Sequence, residues 1–114
     1  MEKIVEQAML YDFYGELLNE HQKSIFEEYV LDNLSLSEIA EGHGISRQGV
    51  HDLIKRADAA LNKYESRLHL VSKFLAVKDS VNEINRIARN ITGDDNKDKA
   101  EQIVSITETI IDEL

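Results

Sequence analysis

The sequence predicts an all-helical protein, and three observations point to that fold class. Apolar residues recur at intervals of three and four along most of the 114 positions, which is the spacing of one face of an α-helix. The chain has no proline and only five glycines, the two residues that helix interiors tolerate least. With 42% hydrophobic and 31% charged residues, its composition is typical of a folded globular chain rather than a disordered one.

Two helices are predicted in the N-terminal third, over about residues 3–18 and 21–32. This part of the chain is rich in aromatic side chains, for which packing in the core is the default prediction. Exposure of several of them would instead indicate a surface for a partner protein. The aromatic residues are Tyr11, Phe13, Tyr14, Phe26 and Tyr29.

A short helix and a turn are predicted next. Ser35 and Glu38 have the spacing of a capping box, in which each side chain accepts a hydrogen bond from the backbone amide of the other residue. The short helix covers residues 36–41, and Gly42-His43-Gly44 breaks it. A long helix follows, with one apolar face that continues to about Leu70.

These elements match a helix-turn-helix over residues 36–55. Its helices cross closely, so the first needs a small residue, the turn needs a positive φ, and the inner face must be apolar. Ser46 is the predicted N-cap of the second helix. The residues that meet the other requirements, and that we predict to define the fold, are Ala40, Gly44, Val50 and Leu53.

The C-terminal part is predicted to form a helical hairpin. Its first helix carries a narrow apolar seam at alternating steps of three and four: Phe74, Val77, Val81, Ile84, Ala88 and Ile91. After a turn over residues 92–96, the second helix has an apolar face of Ala100, Ile103, Val104, Thr107, Ile111 and Leu114. We therefore predict a helical domain over residues 1–70 and a hairpin over residues 71–114. The seam fits either an internal core or a second subunit, and its narrowness favours a homodimer formed through these helices.

Net charge is unevenly distributed along the chain. The formal charge is −9, but residues 1–34 hold two basic and eight acidic side chains, whereas residues 35–68 hold five of each. Residues 69–114 hold six basic and nine acidic side chains. The helix-turn-helix therefore lies in the least acidic part of the chain, which is where a nucleic-acid surface needs to be.

If the motif binds DNA, the first turns of its second helix lie in the major groove. Arg47 can then pair with guanine and Gln48 with adenine, because both side chains form bidentate hydrogen bonds. Phosphate contacts are predicted for Ser46, Lys55 and Arg56. The candidate DNA-binding residues are thus Ser46, Arg47, Gln48, His51, Lys55 and Arg56. For each single cation, solvation on an exposed helix is an equally good interpretation, and Arg56 has the alternative of pairing with an acidic residue.

Two residues of the second helix argue against strong recognition of a specific DNA sequence. Gly49 weakens the helix by about 1 kcal/mol relative to alanine, although it suits a close backbone approach or a helix crossing. Asp52 presents a negative charge toward phosphates unless it reads cytosine. A continuous positive strip through Arg47, Lys55, Arg56, Lys63 and Arg67 would favour nucleic acid as the partner, whereas acidic interruptions would favour a protein.

The same residues carry two family resemblances. Ser35-Leu36-Ser37-Glu38-Ile39-Ala40, Gly44-Ile45-Ser46 and Lys55-Arg56-Ala57 resemble region four of bacterial sigma factors. Leu10-Tyr11-Asp12-Phe13-Tyr14, Ser46-Arg47-Gln48-Gly49-Val50 and Tyr64-Glu65-Ser66-Arg67-Leu68-His69-Leu70 are similar to the YlxM family, over about residues 1–75. This resemblance implies a small helix-turn-helix protein of Gram-positive bacteria, encoded beside the GTPase of the signal recognition particle and involved in regulating that pathway.

Two functions remain open at this point. The first is a sigma-region-four-like, DNA-binding regulatory protein that takes part in the signal recognition particle pathway. The alternative is a protein-interaction module that kept the fold without DNA binding. In that case the acidic N-terminal helices contact a basic partner, and the resemblance suggests the signal recognition particle GTPase or its RNA complex.

Other chemistry is not expected. The chain has no cysteine, and its glycines do not form a dinucleotide fingerprint. His21, His43, His51 and His69 lack partners at metal-ligand spacing, so no metal site is predicted, and His43 in a turn and His51 on an exposed face are predicted to be solvated. No nucleophile and base pair up, so an enzyme and a cofactor are not predicted. No signal peptide or membrane span is recognisable, and a cytoplasmic location without membrane partners is expected.

Overall fold

The computed structural model describes residues 2–91, 93 and 96–113, and this part of the chain contains helices and no strand. The all-α prediction is confirmed. The elements are α1 (Lys3–Tyr14), a 3₁₀ turn (Gly15–Leu17), α2 (Glu20–Val30), α3 (Leu36–His43), α4 (Arg47–Leu68), α5 (Leu70–Arg89) and α6 (Asn96–Glu113). By its contacts the chain divides into two compact units, Met1–His69 and Leu70–Leu114.

The core of the first unit forms where α1, α2 and α3 pack against the long helix α4. Seven apolar side chains there are at most 1% exposed: Tyr14, Ile25, Phe26, Ile39, Val50, Ala57 and Leu61. Burying one large apolar side chain contributes about 1.5–3 kcal/mol, so this shared core is the main force that holds the four helices together. α4 is therefore anchored along one face, and its other face is left to solvent.

The first helix is shorter than the predicted helix over residues 3–18. α1 ends at Tyr14, and a 3₁₀ turn then leads to Leu18. The change of direction brings the backbone of Gly15 against the ring of Tyr11, where an added Cβ would lie 2.7 Å from a ring carbon. The prediction missed this break because the apolar spacing continues through the glycine.

The second helix begins and ends close to its predicted limits. The side chain of Asn19 accepts a hydrogen bond from the amide of Gln22 at 2.8 Å, and the Gln22 side chain accepts one from the Asn19 amide at 3.3 Å. This capping box starts α2 at Glu20. The chain leaves the helix after Val30, and Asn33 takes a left-handed conformation with φ 56°.

The aromatic residues of the first unit mostly pack in its core, as predicted. Tyr11 and Phe26 stack with ring centroids 5.8 Å apart, and Tyr14 lies 6.0 Å from Tyr64 of α4. The Tyr11 hydroxyl donates a hydrogen bond to Glu27. Burial, reinforced by this carboxylate, raises the pKa of Tyr11 well above its ordinary value. Phe13 differs from this group, because it is 38% exposed.

The long helix ends two residues before the predicted limit near Leu70. His69 adopts a left-handed conformation with φ 57°, and its amide donates to the carbonyl of Glu65. A left-handed residue closes a helix by satisfying one of its last carbonyls. Because no glycine or proline stands there, the sequence carried no strong signal for this break.

In the second unit, α5 and α6 pack against each other as the predicted hairpin. Buried or half-buried positions recur along α5 at Val77, Ser80, Ile84 and Ile87, and along α6 at Lys99, Ile103, Ile106 and Ile110. Of the predicted apolar face of α6, Ile103 is half-buried, whereas Ala100, Val104, Thr107 and Ile111 are exposed. Each helix has two apolar stripes, and only one of them can face its neighbour. The predicted turn includes Thr92, Asp94 and Asp95, and the predicted face includes Leu114, all of which lie outside the described residues.

A membrane span was not expected. Among the described residues, no helix combines the length and the apolar character that crossing a bilayer requires.

Candidate nucleic-acid interface

The turn of the helix-turn-helix is formed by Gly44. This residue has φ 66°, which only glycine adopts without steric cost. Its amide donates to the carbonyl of Glu41 at 3.4 Å, and the amide of Ile45 donates to the carbonyl of Ala40 at 3.1 Å. This pair of hydrogen bonds is a Schellman motif. α3 therefore runs through Gly42 and His43, beyond the predicted break, and the turn begins only at Gly44.

Ser46 begins α4, as its N-cap. Its hydroxyl oxygen accepts a hydrogen bond from the amide of Gly49 at 2.9 Å. A Cβ on Gly49 would lie 3.1 Å from that oxygen and 4.0 Å from the Ile45 side chain. Gly49 thus makes room for the cap of its own helix, and neither a helix crossing nor a ligand is needed to explain it.

The apolar face of α4 determines which of its side chains reach solvent. Val50 is fully buried, Ala40 of α3 is also buried, and Leu53 is half-buried. The opposite face therefore points outward. All six candidate DNA-binding residues are exposed: Ser46, Arg47, Gln48, His51, Lys55 and Arg56. The structure brings them together on the first three turns of one helix, where a major-groove contact would require them.

Asp52 interrupts the cationic character of this surface. It lies on the outward face, where Gln48 Nε2 donates a hydrogen bond to its carboxylate at 3.0 Å. The Nδ1 atom of His51 lies 3.6 Å from the same carboxylate oxygen. The amide that would read adenine is therefore engaged within the helix, and a negative charge stands between the cations.

A cavity of about 300 Å³ adjoins the same part of α4. Lys3 of α1 and Lys55 of α4 both line it, together with the hydroxyl-bearing Tyr29 of α2. Gln7 is 6% exposed, lines the cavity, and donates a hydrogen bond to Asp58 at 3.2 Å. Two ammonium groups and a hydroxyl are suitable partners for a phosphate oxygen. Lys3 is not among the residues predicted from the sequence, because only the packing of α1 on α4 places it at the same cavity as Lys55.

His43 is not the solvated turn residue that the sequence predicted. It ends α3, half-buried, and its Nε2 atom pairs with a carboxylate oxygen of Glu28 on α2. Its ring lies 5.9 Å from that of His21. The pair joins α2 to the first helix of the motif. Within the described residues, no group of three His, Cys, Asp or Glu side chains is arranged to hold a metal ion.

Comparison of the sequence with known proteins finds a matching family model and several relatives. The family model described as "Putative helix-turn-helix protein, YlxM / p13 like" matches residues 1–104. The chain is 44% identical over 88 residues to the UPF0122 protein YlxM of Bacillus subtilis, covering 77% of this chain and 80% of that protein. It is 47% identical over 91 residues to a UPF0122 protein of Acetivibrio thermocellus, covering 80% and 78%. A UPF0122 protein of a Thermoanaerobacter species is 40% identical over 107 residues, covering 94% and 89%.

Proposed function

This chain belongs to the YlxM / p13-like family of helix-turn-helix proteins, and we propose that it is a DNA-binding regulatory protein. One observation carries the proposal. Four polar or cationic side chains stand exposed on the first three turns of a helix that a glycine turn holds against its partner helix: Arg47, Gln48, Lys55 and Arg56. This is the position from which helix-turn-helix proteins reach base edges and the adjoining phosphates.

The roles of the residues follow from their positions. Arg47, at the start of α4, is placed to reach guanine, while Lys55 and Lys3 bind the phosphates that flank the groove. The Gln48 side chain can bind a base edge only after it gives up its hydrogen bond to Asp52. The balance of these contacts supports a protein whose affinity comes mostly from phosphates and whose base reading is modest.

The experiment that tests the proposal is binding to random-sequence duplex DNA, measured by fluorescence anisotropy at two salt concentrations. We expect binding that weakens steeply with salt, and a clear loss of affinity in Arg47→Ala and Lys55→Ala. Lys78→Ala and Lys97→Ala remove exposed cations from the second unit and serve as charge-matched controls. Absence of binding at low salt, or equal losses in the controls, would overturn the proposal.

We further propose that the protein is a homodimer held together through the hairpin. Apolar side chains remain exposed on α5, just after its end and on α6: Val81 is 50% exposed, Ile91 40%, Val104 54% and Ile111 68%. Val81 lies about a quarter turn from the α5 stripe that faces α6, and Val104 and Ile111 lie about a third of a turn from the matching stripe of α6. In an antiparallel pair, these offsets place Val81, Val104 and Ile111 on the same side of the hairpin.

A second copy of the chain fits this surface well. Two hairpins that meet through such faces form a four-helix bundle, in which the same surface serves both subunits. A symmetric dimer also presents two helix-turn-helix motifs, as operators with two half-sites require. The dimer thus complements the DNA-binding proposal.

The alternative function is a protein-interaction module without DNA binding. Two observations favour it: Asp52 lies among the candidate contacts, and residues 1–34 hold eight acidic but only two basic side chains. A basic partner would suit that acidic part of the chain. The signal recognition particle GTPase or its RNA complex, suggested by the family resemblance, is the partner to test by pull-down with purified components.

A further inference from the structure

A row of cations occupies the outer face of α4 beyond the helix-turn-helix. Arg56, Lys63 and Arg67 are all exposed. They are spaced seven and four residues apart, so at 3.6 residues per turn they lie within about 40° of one another around the helix axis. The row extends about 16 Å along the helix, at a rise of 1.5 Å per residue. We call these three residues the α4 cation row.

The carboxylates in the same part of α4 are turned away from this row. Asp58 accepts a hydrogen bond from Gln7 Nε2 at 3.2 Å, and Glu65 accepts one from the Tyr14 hydroxyl at 2.6 Å. Both donors belong to α1, so these two acids lie on the flank of α4 that packs on the core. Charge on this half of the helix is therefore divided, with acids toward α1 and cations toward solvent.

The three cations form no ion pair with the side chains that the structure describes. Within residues 2–91, 93 and 96–112, no carboxylate oxygen lies within 4.0 Å of the charged groups of Arg56, Lys63 or Arg67. Two small side chains, Ala59 and Ser66, lie on the same side of the helix as the row. Between Arg56 and Arg67 the two carboxylates of α4 are held toward α1, so a polyanion meets no acidic side chain of α4 within the row itself; Asp52 lies one turn before it.

We propose that the α4 cation row binds the phosphate backbone of duplex DNA, without reading sequence. α4 has 22 residues and is therefore about 33 Å long, whereas the major groove is about 12 Å wide, so only its first turns fit into the groove. The row begins where the base-reading turns end. Successive phosphates of one strand rise about 3.4 Å along the duplex axis, so a row of this length faces several of them. This inference rests on the proposed function for the choice of DNA as the partner.

The test measures how affinity for random-sequence duplex DNA depends on salt. Each neutralised phosphate contributes about 0.9 to the slope of log K against log salt, so Arg56→Gln, Lys63→Gln and Arg67→Gln each flatten the slope by about that amount. We expect the triple variant to lose most of its non-specific binding. The control triple variant Lys73→Gln, Lys78→Gln, Lys97→Gln has the same net charge and should keep the native slope. Thermal melts followed by circular dichroism verify that both triple variants fold.

The outcomes separate this inference from the proposed function. Equal slopes in the two triple variants overturn the cation row, even if Arg47→Ala still abolishes binding. Loss of binding in the α4 triple variant alone, with Arg47→Ala unaffected, supports the cation row and overturns base reading by the first turns. Tighter, row-dependent binding to duplex RNA than to duplex DNA overturns DNA as the occupant. Competition by polyglutamate as effective as that by DNA shows a surface for acidic proteins and overturns the proposal.

Discussion

At the scale of single residues, two positions decide what the helix-turn-helix can do. Gly44 permits the turn, because its φ of 66° lies in the left-handed region. Asp52 limits the DNA surface, because its carboxylate holds the Gln48 amide and faces the region where phosphates would lie. The first residue acts on stability and the second on binding, so substitutions separate the two effects.

Gly44→Ala should destabilise the protein, whereas Gly42→Ala should not. Neither position has an atom within 4 Å of an added Cβ, so the difference between them comes from the backbone. A left-handed conformation costs a residue with a side chain roughly 1–2 kcal/mol, whereas alanine in a helix is favoured over glycine by about 1 kcal/mol. Urea unfolding of the two variants measures both effects. Equal stability of the two would contradict the role given to Gly44.

Asp52→Asn should strengthen DNA binding. Asparagine can still accept the Gln48 hydrogen bond, so the change removes charge with little effect on local structure. A unit charge about 4 Å from another contributes about 1 kcal/mol in water, which corresponds to roughly a fivefold gain in affinity at low salt. Fluorescence anisotropy measures the gain, with the exposed Asp79→Asn as a charge-matched control. Equal gains in the two variants would show that only net charge matters.

At the scale of elements, helix ends account for most of the local structure. Three helices begin at a residue whose side-chain oxygen accepts a hydrogen bond from a backbone amide: Asn19, Ser35 and Ser46. Ser35 and Ser46 cap the two helices of the helix-turn-helix, so they define where α3 and α4 begin. The cap of α3 is the one that includes a titrating group.

The stability of the α3 cap should depend on pH through Glu38. Its carboxylate accepts a hydrogen bond from the Ser35 amide at 3.0 Å, and this hydrogen bond holds the pKa of Glu38 below its ordinary value of 4.5. A lowered pKa in the folded state means that the stabilisation is present above pH 4.5 and is lost as pH falls through the lowered pKa.

Glu38→Gln isolates this effect, because glutamine also completes a capping box but does not titrate. Urea unfolding at neutral pH and at pH values below the ordinary pKa should show a smaller loss of stability on acidification in Glu38→Gln than in the native protein. Identical pH profiles of the two proteins would show that Glu38 does not contribute through its charge.

At the scale of the whole molecule, the exposed apolar face of the hairpin should determine the oligomeric state. Val104→Lys and Ile111→Lys place charges on that face, where each large apolar side chain contributes about 1.5–3 kcal/mol when it is buried. We expect a dimer for the native protein and a monomer for these variants in sedimentation velocity at micromolar concentration. Ser105→Lys and Thr109→Lys change exposed positions away from that face and should remain dimeric. A native protein that sediments as a monomer would contradict the proposed dimer and, with it, the expectation of an operator with two symmetric half-sites.

The sequence by itself determined the all-helical fold, the caps at Ser35 and Ser46 and the glycine turn, since these depend on residues a few positions apart. Ser35 with Glu38, and Gly44 with Ile45, carry their geometry in local spacing. The outward face of α4 also followed from its apolar period. Only the tertiary structure decided which side chains from different helices meet: Lys3 with Lys55 at one cavity, Glu28 with His43, and Asp58 and Glu65 with donors of α1. The choice between two apolar stripes on α6 was decided in the same way, because either stripe satisfies the helical period and only packing against α5 selects one.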